Sequence, residues 1–99
     1  MTNEVVRIEA EIVNALGMHA RPAAEFVKLA ATFSADVQVE KEGVSVNGKS
    51  IMGVLMLAAE KGSTLLISTS GLDAPAASAA LAQLVAQGFG EEDELEPQT

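Results

Sequence analysis

The chain has 99 residues, enough for one compact core and too few for a second. It contains no cysteine, which excludes disulfides and thiolate metal sites, and its net charge of -8 has the wrong sign for a nucleic-acid partner. Five of the fourteen acids fall within residues 91–96, leaving nine acids against six bases in residues 1–90. This pattern suggests a folded domain over 1–89 and an acidic, disordered tail over 90–99. Hydrophobic residues make up 48% of the chain, yet its only aromatics are three Phe, so the core must be aliphatic. Residues 1–11 are charged and alternating, unlike a signal peptide or a membrane span, so a soluble, cytoplasmic protein that does not insert into membranes is expected.

Val6, Ile8, Ala10 and Ile12 alternate with Arg7, Glu9 and Glu11, which predicts a strand with one buried face. Residues 14–17 break that pattern. From 20 to 32 the polar residues Arg21, Glu25, Lys28 and Thr32 step by four, three and four, a single wet stripe on a helix. Ala23, Ala24, Val27, Ala30 and Ala31 should then face inward, and Pro22 is tolerated because it sits in the first turn. Residues 36–41 and 44–46 alternate again about Glu42-Gly43, a hairpin. Ser50 is placed to cap a short helix from 51 to about 59, with Gly62 following as a stop. A strand over 63–70 and a last helix capped by Asp73, with Ala77, Ala80, Leu81, Leu84 and Val85 inward, complete the chain. The order β-α-β-β-α-β-α, with alternating strands, predicts an α+β open-faced sandwich: four antiparallel strands with three helices on one face.

The chemistry concentrates in Gly17-Met18-His19-Ala20-Arg21-Pro22-Ala23-Ala24, which holds the only histidine where a strand gives way to a helix. A helix start presents unpaired N–H groups and a partial positive charge, and so attracts an anion such as phosphate. His19 is a nucleophile beside that seat, and Arg21 adds a permanent charge with forked donors. Gly17, Ala20 and Pro22 support the helix start; Gly17 in particular spares a partner protein a Cβ in its way. A lone histidine cannot build a zinc site without further ligands, and nothing marks a nucleophile elbow, so no metal and no cofactor are expected.

Residues 43–50, Gly-Val-Ser-Val-Asn-Gly-Lys-Ser, match the phosphate-loop pattern G-x-x-x-x-G-K-[ST] letter for letter. That motif works only as a loop wrapping phosphate, whereas Val44 and Val46 alternate as a strand. We take the match as coincidence; a nucleotide hydrolase stays a rival reading that a nucleotide-binding titration without signal would dispose of. Next to Ser50, the apolar Ile51, Met52 and Leu55 can form an exposed docking patch, with Met adapting to more than one partner.

The octapeptide resembles the active-site signature of HPr, the histidine-containing phosphocarrier family of the bacterial phosphoenolpyruvate-dependent phosphotransferase system. Lys49-Ser50-Ile51-Met52-Gly53-Val54-Leu55-Met56-Leu57-Ala58 is similar to that family's regulatory serine segment, at fitting separation, and the likeness spans about residues 4–89. The resemblance implies a carrier, not an enzyme. His19 would take phosphate on Nδ1 from enzyme I and pass it to an enzyme IIA domain, with Arg21 stabilising the phosphohistidine. It also implies that Ser50 is regulatory, phosphorylated where the host has an HPr kinase/phosphorylase, and that partners dock on Met18, Lys28, Lys49, Ile51, Met52 and Leu55. The sugar-transport and nitrogen-type branches share both signatures. Gly53 stands where some members carry lysine, and the active face is poorer in bases than in many sugar-branch members. The rival reading is a purely regulatory binding module, of nitrogen or catabolite-control type, switched at Ser50.

Overall fold

The computed structural model describes residues 5–91. Its elements are β1 (Val5–Glu11), α1 (Ala20–Ala30), β2 (Asp36–Lys41), β3 (Val44–Asn47), α2 (Ile51–Met56), β4 (Thr64–Ser70) and α3 (Ala74–Ala86). A short left-handed turn over Gly88–Gly90 follows. The strands form one antiparallel sheet in the order β1-β4-β2-β3, backed by the three helices, as the alternating pattern requires.

Register follows from that alternation. Ile8 lies opposite Ile67, which in turn lies opposite Val39, and these face the helices. One residue along, Leu66 lies between Glu9 and Glu40 on the outer face. A slip of one residue would exchange the two sets, so burial of one face fixes the pairing. The core closes with Phe26 of α1, Val54 of α2 and Leu81 and Val85 of α3, all fully buried against Ile12, Val37, Leu65 and Ile67. Burying side chains of this size stabilises the fold by roughly 1.5–3 kcal/mol each.

Local chemistry moves several expected boundaries. Helix α1 stops at Ala30, before the expected 32, because Thr32 and Phe33 turn back to the Leu29 and Ala30 carbonyls in three-residue bonds. Its buried residues are Pro22, Ala23, Phe26 and Ala30. Ala24 and Ala31, expected inward, are exposed; Phe26 fills their share of the interface, and a methyl costs little to leave wet. Helix α2 ends at Met56 rather than near 59, because Leu57 and Ala58 form three-residue bonds and Ala58 adopts φ +49. Ser50 caps it as expected, its hydroxyl accepting from the Gly53 N–H at 3.1 Å.

Asp73 occupies the expected N-cap position of α3, but its side chain works elsewhere. Its carboxylate accepts from the Ser34 N–H at 2.9 Å and the Ala35 N–H at 2.7 Å, pinning the start of α3 to the α1–β2 connection. These bonds, the Ser34 amide foremost, hold the carboxyl below its ordinary pKa, with Lys49 adding its charge.

Candidate functional site

The site begins where β1 ends. Gly17 adopts φ +70, and a Cβ there would lie 2.4 Å from the Ala59 carbonyl oxygen and 2.9 Å from the Glu60 Cα. The glycine is thus demanded by the chain's own backbone passing behind it, a ground that the sequence does not show. The next amide, of Met18, donates to that same Ala59 oxygen at 2.8 Å. Met18 therefore turns inward and is only 4% exposed, which removes it from the docking face.

His19 follows as the N-cap of α1, with extended backbone and no side-chain capping bond. Its carbonyl accepts the Ala23 N–H at 2.9 Å. Pro22 has no N–H, so the Ala20 and Arg21 amides are the donors that the first turn leaves open. The His19 side chain is 36% exposed, neither sealed in the interior nor remote from the helix start. The ring and the Arg21 guanidinium thus stand at a helix start with two open amides, an arrangement suited to an anion.

A residue that composition assigns to the tail completes this arrangement. Glu91 folds back to the helix start, with Oε2 3.0 Å from His19 Nε2 and 3.0 Å from an Arg21 guanidinium nitrogen. Its other oxygen accepts from Asn14 Nδ2 at 3.0 Å, and Asn14 also donates to the Gly17 carbonyl at 2.8 Å. Gly90 and Glu91 thus belong with the folded domain, although composition groups them with the acids that follow; residues 92–99 of the expected tail lie outside the described residues. The sequence by itself singles out neither Asn14 nor Glu91. The one local hint is Gly88-Phe89-Gly90, an apolar residue between two glycines where a solvated tail should begin.

The second motif divides. Ile51 and Met52 are exposed, and Lys28 stands in solvent on α1. Leu55 is half-buried and packs against the core, so it contributes little to a docking face. Lys49 is half-buried and donates through Nζ to the Phe33 carbonyl at 2.8 Å, which holds its charge against the fold. Near these motifs a reading by sequence misses Leu16, 69% exposed just before His19, and Met56, 75% exposed on α2 beside Met52 at 66%.

The phosphate-loop look-alike is used up by ordinary structure. Val44–Asn47 is strand β3, the Gly48 amide donates to the Val37 carbonyl, and the Ser50 amide to Asn47. No cradle of free amides remains there. Among the described residues no helix is long and apolar enough to cross a membrane.

Comparison with known proteins agrees with this geometry. A family model described as the PTS HPr component phosphorylation site matches residues 6–87. The chain is 47% identical over 81 residues to the phosphocarrier protein HPr of Neisseria meningitidis, covering 82% of this chain and 91% of that one. It is 43% identical over 77 residues to the HPr-like protein Crh of Halalkalibacterium halodurans, covering 78% and 92%. Among solved structures, HPr from Thermoanaerobacter tengcongensis superposes with a TM-score of 0.85 at 44% identity, covering 88% of this chain and 98% of that chain. With both signatures, the sheet order and these relatives in agreement, the chain belongs to the HPr family of phosphocarrier proteins of the phosphotransferase system.

Proposed function

We propose that His19 accepts a phosphoryl group on Nδ1 from phospho-enzyme I and passes it to an enzyme IIA domain, as a monomer in the cytoplasm. One observation carries the reading: the half-exposed His19 ring and the Arg21 guanidinium hold the same carboxylate oxygen, each at 3.0 Å, at a helix start with open amides. Both groups thus bind an anionic oxygen, which supports anion recognition at this helix start, while the ring's Nδ1 carries no hydrogen bond to any described residue. Arg21 and the Ala20 and Arg21 amides would receive the charge of the phosphoryl oxygens. Lys28, Ile51 and Met52 remain as docking residues, now joined by Leu16 and Met56, which supply the exposed apolar surface that successive partners need.

Incubation with phosphoenolpyruvate and enzyme I, followed by intact-mass analysis, tests this. We expect one acid-labile phosphate, absent in His19→Ala. An acid-stable adduct, or one that survives that substitution, overturns the relay.

A second reading adds regulation at Ser50 by an HPr kinase/phosphorylase, and the position of its hydroxyl favours it. The hydroxyl caps α2 directly beside exposed Ile51 and Met52. A phosphate there would suit the helix dipole and leave the fold intact, while adding about -1.5 to -2 charge to the docking face.

A further inference from the structure

We propose that Glu91 is the positioning residue for His19: by accepting the Nε2–H it fixes the neutral ring in the tautomer whose lone pair lies on Nδ1. The proposal deepens the phosphocarrier reading and rests on it for its kinetic consequence, though not for the tautomer itself.

The burial of Glu91 comes first. It opens a run of acids that composition would leave in water, yet its side chain is 7% exposed. Removing a carboxylate from water is costly unless donors replace the water. Here three do, at 3.0 Å each: Asn14 on one oxygen, His19 and Arg21 on the other.

The backbone is built to deliver it. Gly88, Phe89 and Gly90 all have positive φ, at 67, 59 and 75°, which reverses the chain as α3 ends. Phe89 tolerates the left-handed conformation, unfavourable for an L-residue, while 4% exposed in the core. Its burial anchors the turn, and the Glu91 amide closes it on the Gly88 carbonyl at 2.9 Å. Asn14, itself 2% exposed, is held by the Gly17 carbonyl and steadies the far oxygen of the carboxylate.

The chemistry then follows from donor and acceptor rules. An ionised carboxylate only accepts, so the ring nitrogen facing it must carry the hydrogen. That nitrogen is Nε2. The lone pair is left on Nδ1, which has no hydrogen-bond partner among the described residues. In the transfer, the Nδ1 pair forms the bond to phosphorus as the bond from phosphorus to the donor breaks, its electrons leaving with the donor. The ring keeps its Nε2–H, takes up positive charge, and meets that charge with the Glu91 carboxylate. No proton has to move. Onward transfer reverses the same bookkeeping.

The test is a two-bond ¹H–¹⁵N correlation on the full, unphosphorylated chain labelled at histidine, at a pH where the ring is neutral. Wild type is expected to show a single tautomer, Nε2–H, and Glu91→Ala a mixture. Arg21→Ala, which leaves the Glu91–His19 pair in place, is expected to keep the single tautomer. Phosphoryl transfer by Glu91→Ala is expected to fall by roughly 10-fold or more, the scale found when a metal-ligating histidine loses its orienting partner. A mixed or Nδ1–H ring in wild type overturns the proposal, whatever the variants do. So does an unchanged tautomer in folded Glu91→Ala. If wild type shows the expected tautomer but takes no phosphate at His19, the carrier reading fails and the tautomer assignment stands.

Discussion

Gly17→Ala puts the packing behind the site to a quantitative test. Two costs apply. An L-residue at φ +70 pays about 1–2 kcal/mol for the left-handed conformation. The new Cβ would also sit 2.4 Å from the Ala59 carbonyl oxygen, where contacts under 3.0 Å force something to shift, and both obstructing groups are backbone. Overpacking of this kind typically adds about 1–3 kcal/mol, for a total of roughly 2–5 kcal/mol. Gly43 supplies the control. It has φ +85 with nothing within 4 Å of the place a Cβ would take, so Gly43→Ala pays only the conformational cost of about 1–2 kcal/mol. Urea denaturation followed by far-ultraviolet circular dichroism gives both values. The difference between the two variants isolates the clash. Equal costs at the two positions would refute the argument that Gly17 answers to Ala59.

Two further substitutions probe the frame around the site. Ser50→Ala removes the acceptor for the Gly53 amide and is expected to cost about 1 kcal/mol, whereas Ser50→Asp retains an acceptor and most of the stability; denaturation midpoints decide, and a costless Ser50→Ala would exclude the cap. Asp73 carries a pH signature: its carboxyl is held below the ordinary value by the Ser34 and Ala35 amides, so folding favours its ionised form. Its contribution is full above the pKa of the unfolded chain and disappears as pH falls through the lower folded value. Thermal melts of wild type and Asp73→Ala should therefore differ at neutral pH and converge in acid, and a constant gap would contradict the assignment.

What the sequence disclosed, and what it hid, divides by the range of the interactions. Strand alternation, the polar stripe of α1 and the Ser50 cap depend on neighbours a few residues away, and each appears where the pattern puts it. Met18 departs from expectation because its direction is set by the Ala59 carbonyl, 41 residues on, which draws in its amide and turns the side chain to the core. Asp73 sits at the right place with the wrong partner for the same reason, since its amides come from the far side of the sheet connection. Glu91 is the hardest to see. Nothing in an acidic stretch distinguishes the one carboxylate that turns back to a histidine 72 positions earlier. Leu16 and Met56 are easily overlooked because apolar residues in a loop and at a helix end read by default as core.

The position of β1 at the edge of the sheet bears on how the protein can be assembled at the ribosome. Its ladder partner within the sheet is β4, with Val5 opposite Ser70. Strand β1 must therefore wait for β4 to be made, while two helices and a hairpin are synthesised between them. Until then Ile8 and Ala10 have no β4 beside them to complete their layer. Such long-range pairing delays closure of the sheet until β4 has been made, and the nascent chain carries an unpaired, half-apolar strand throughout that interval. The charged residues Arg7, Glu9 and Glu11, interleaved along it, guard the strand against pairing with a neighbouring nascent chain.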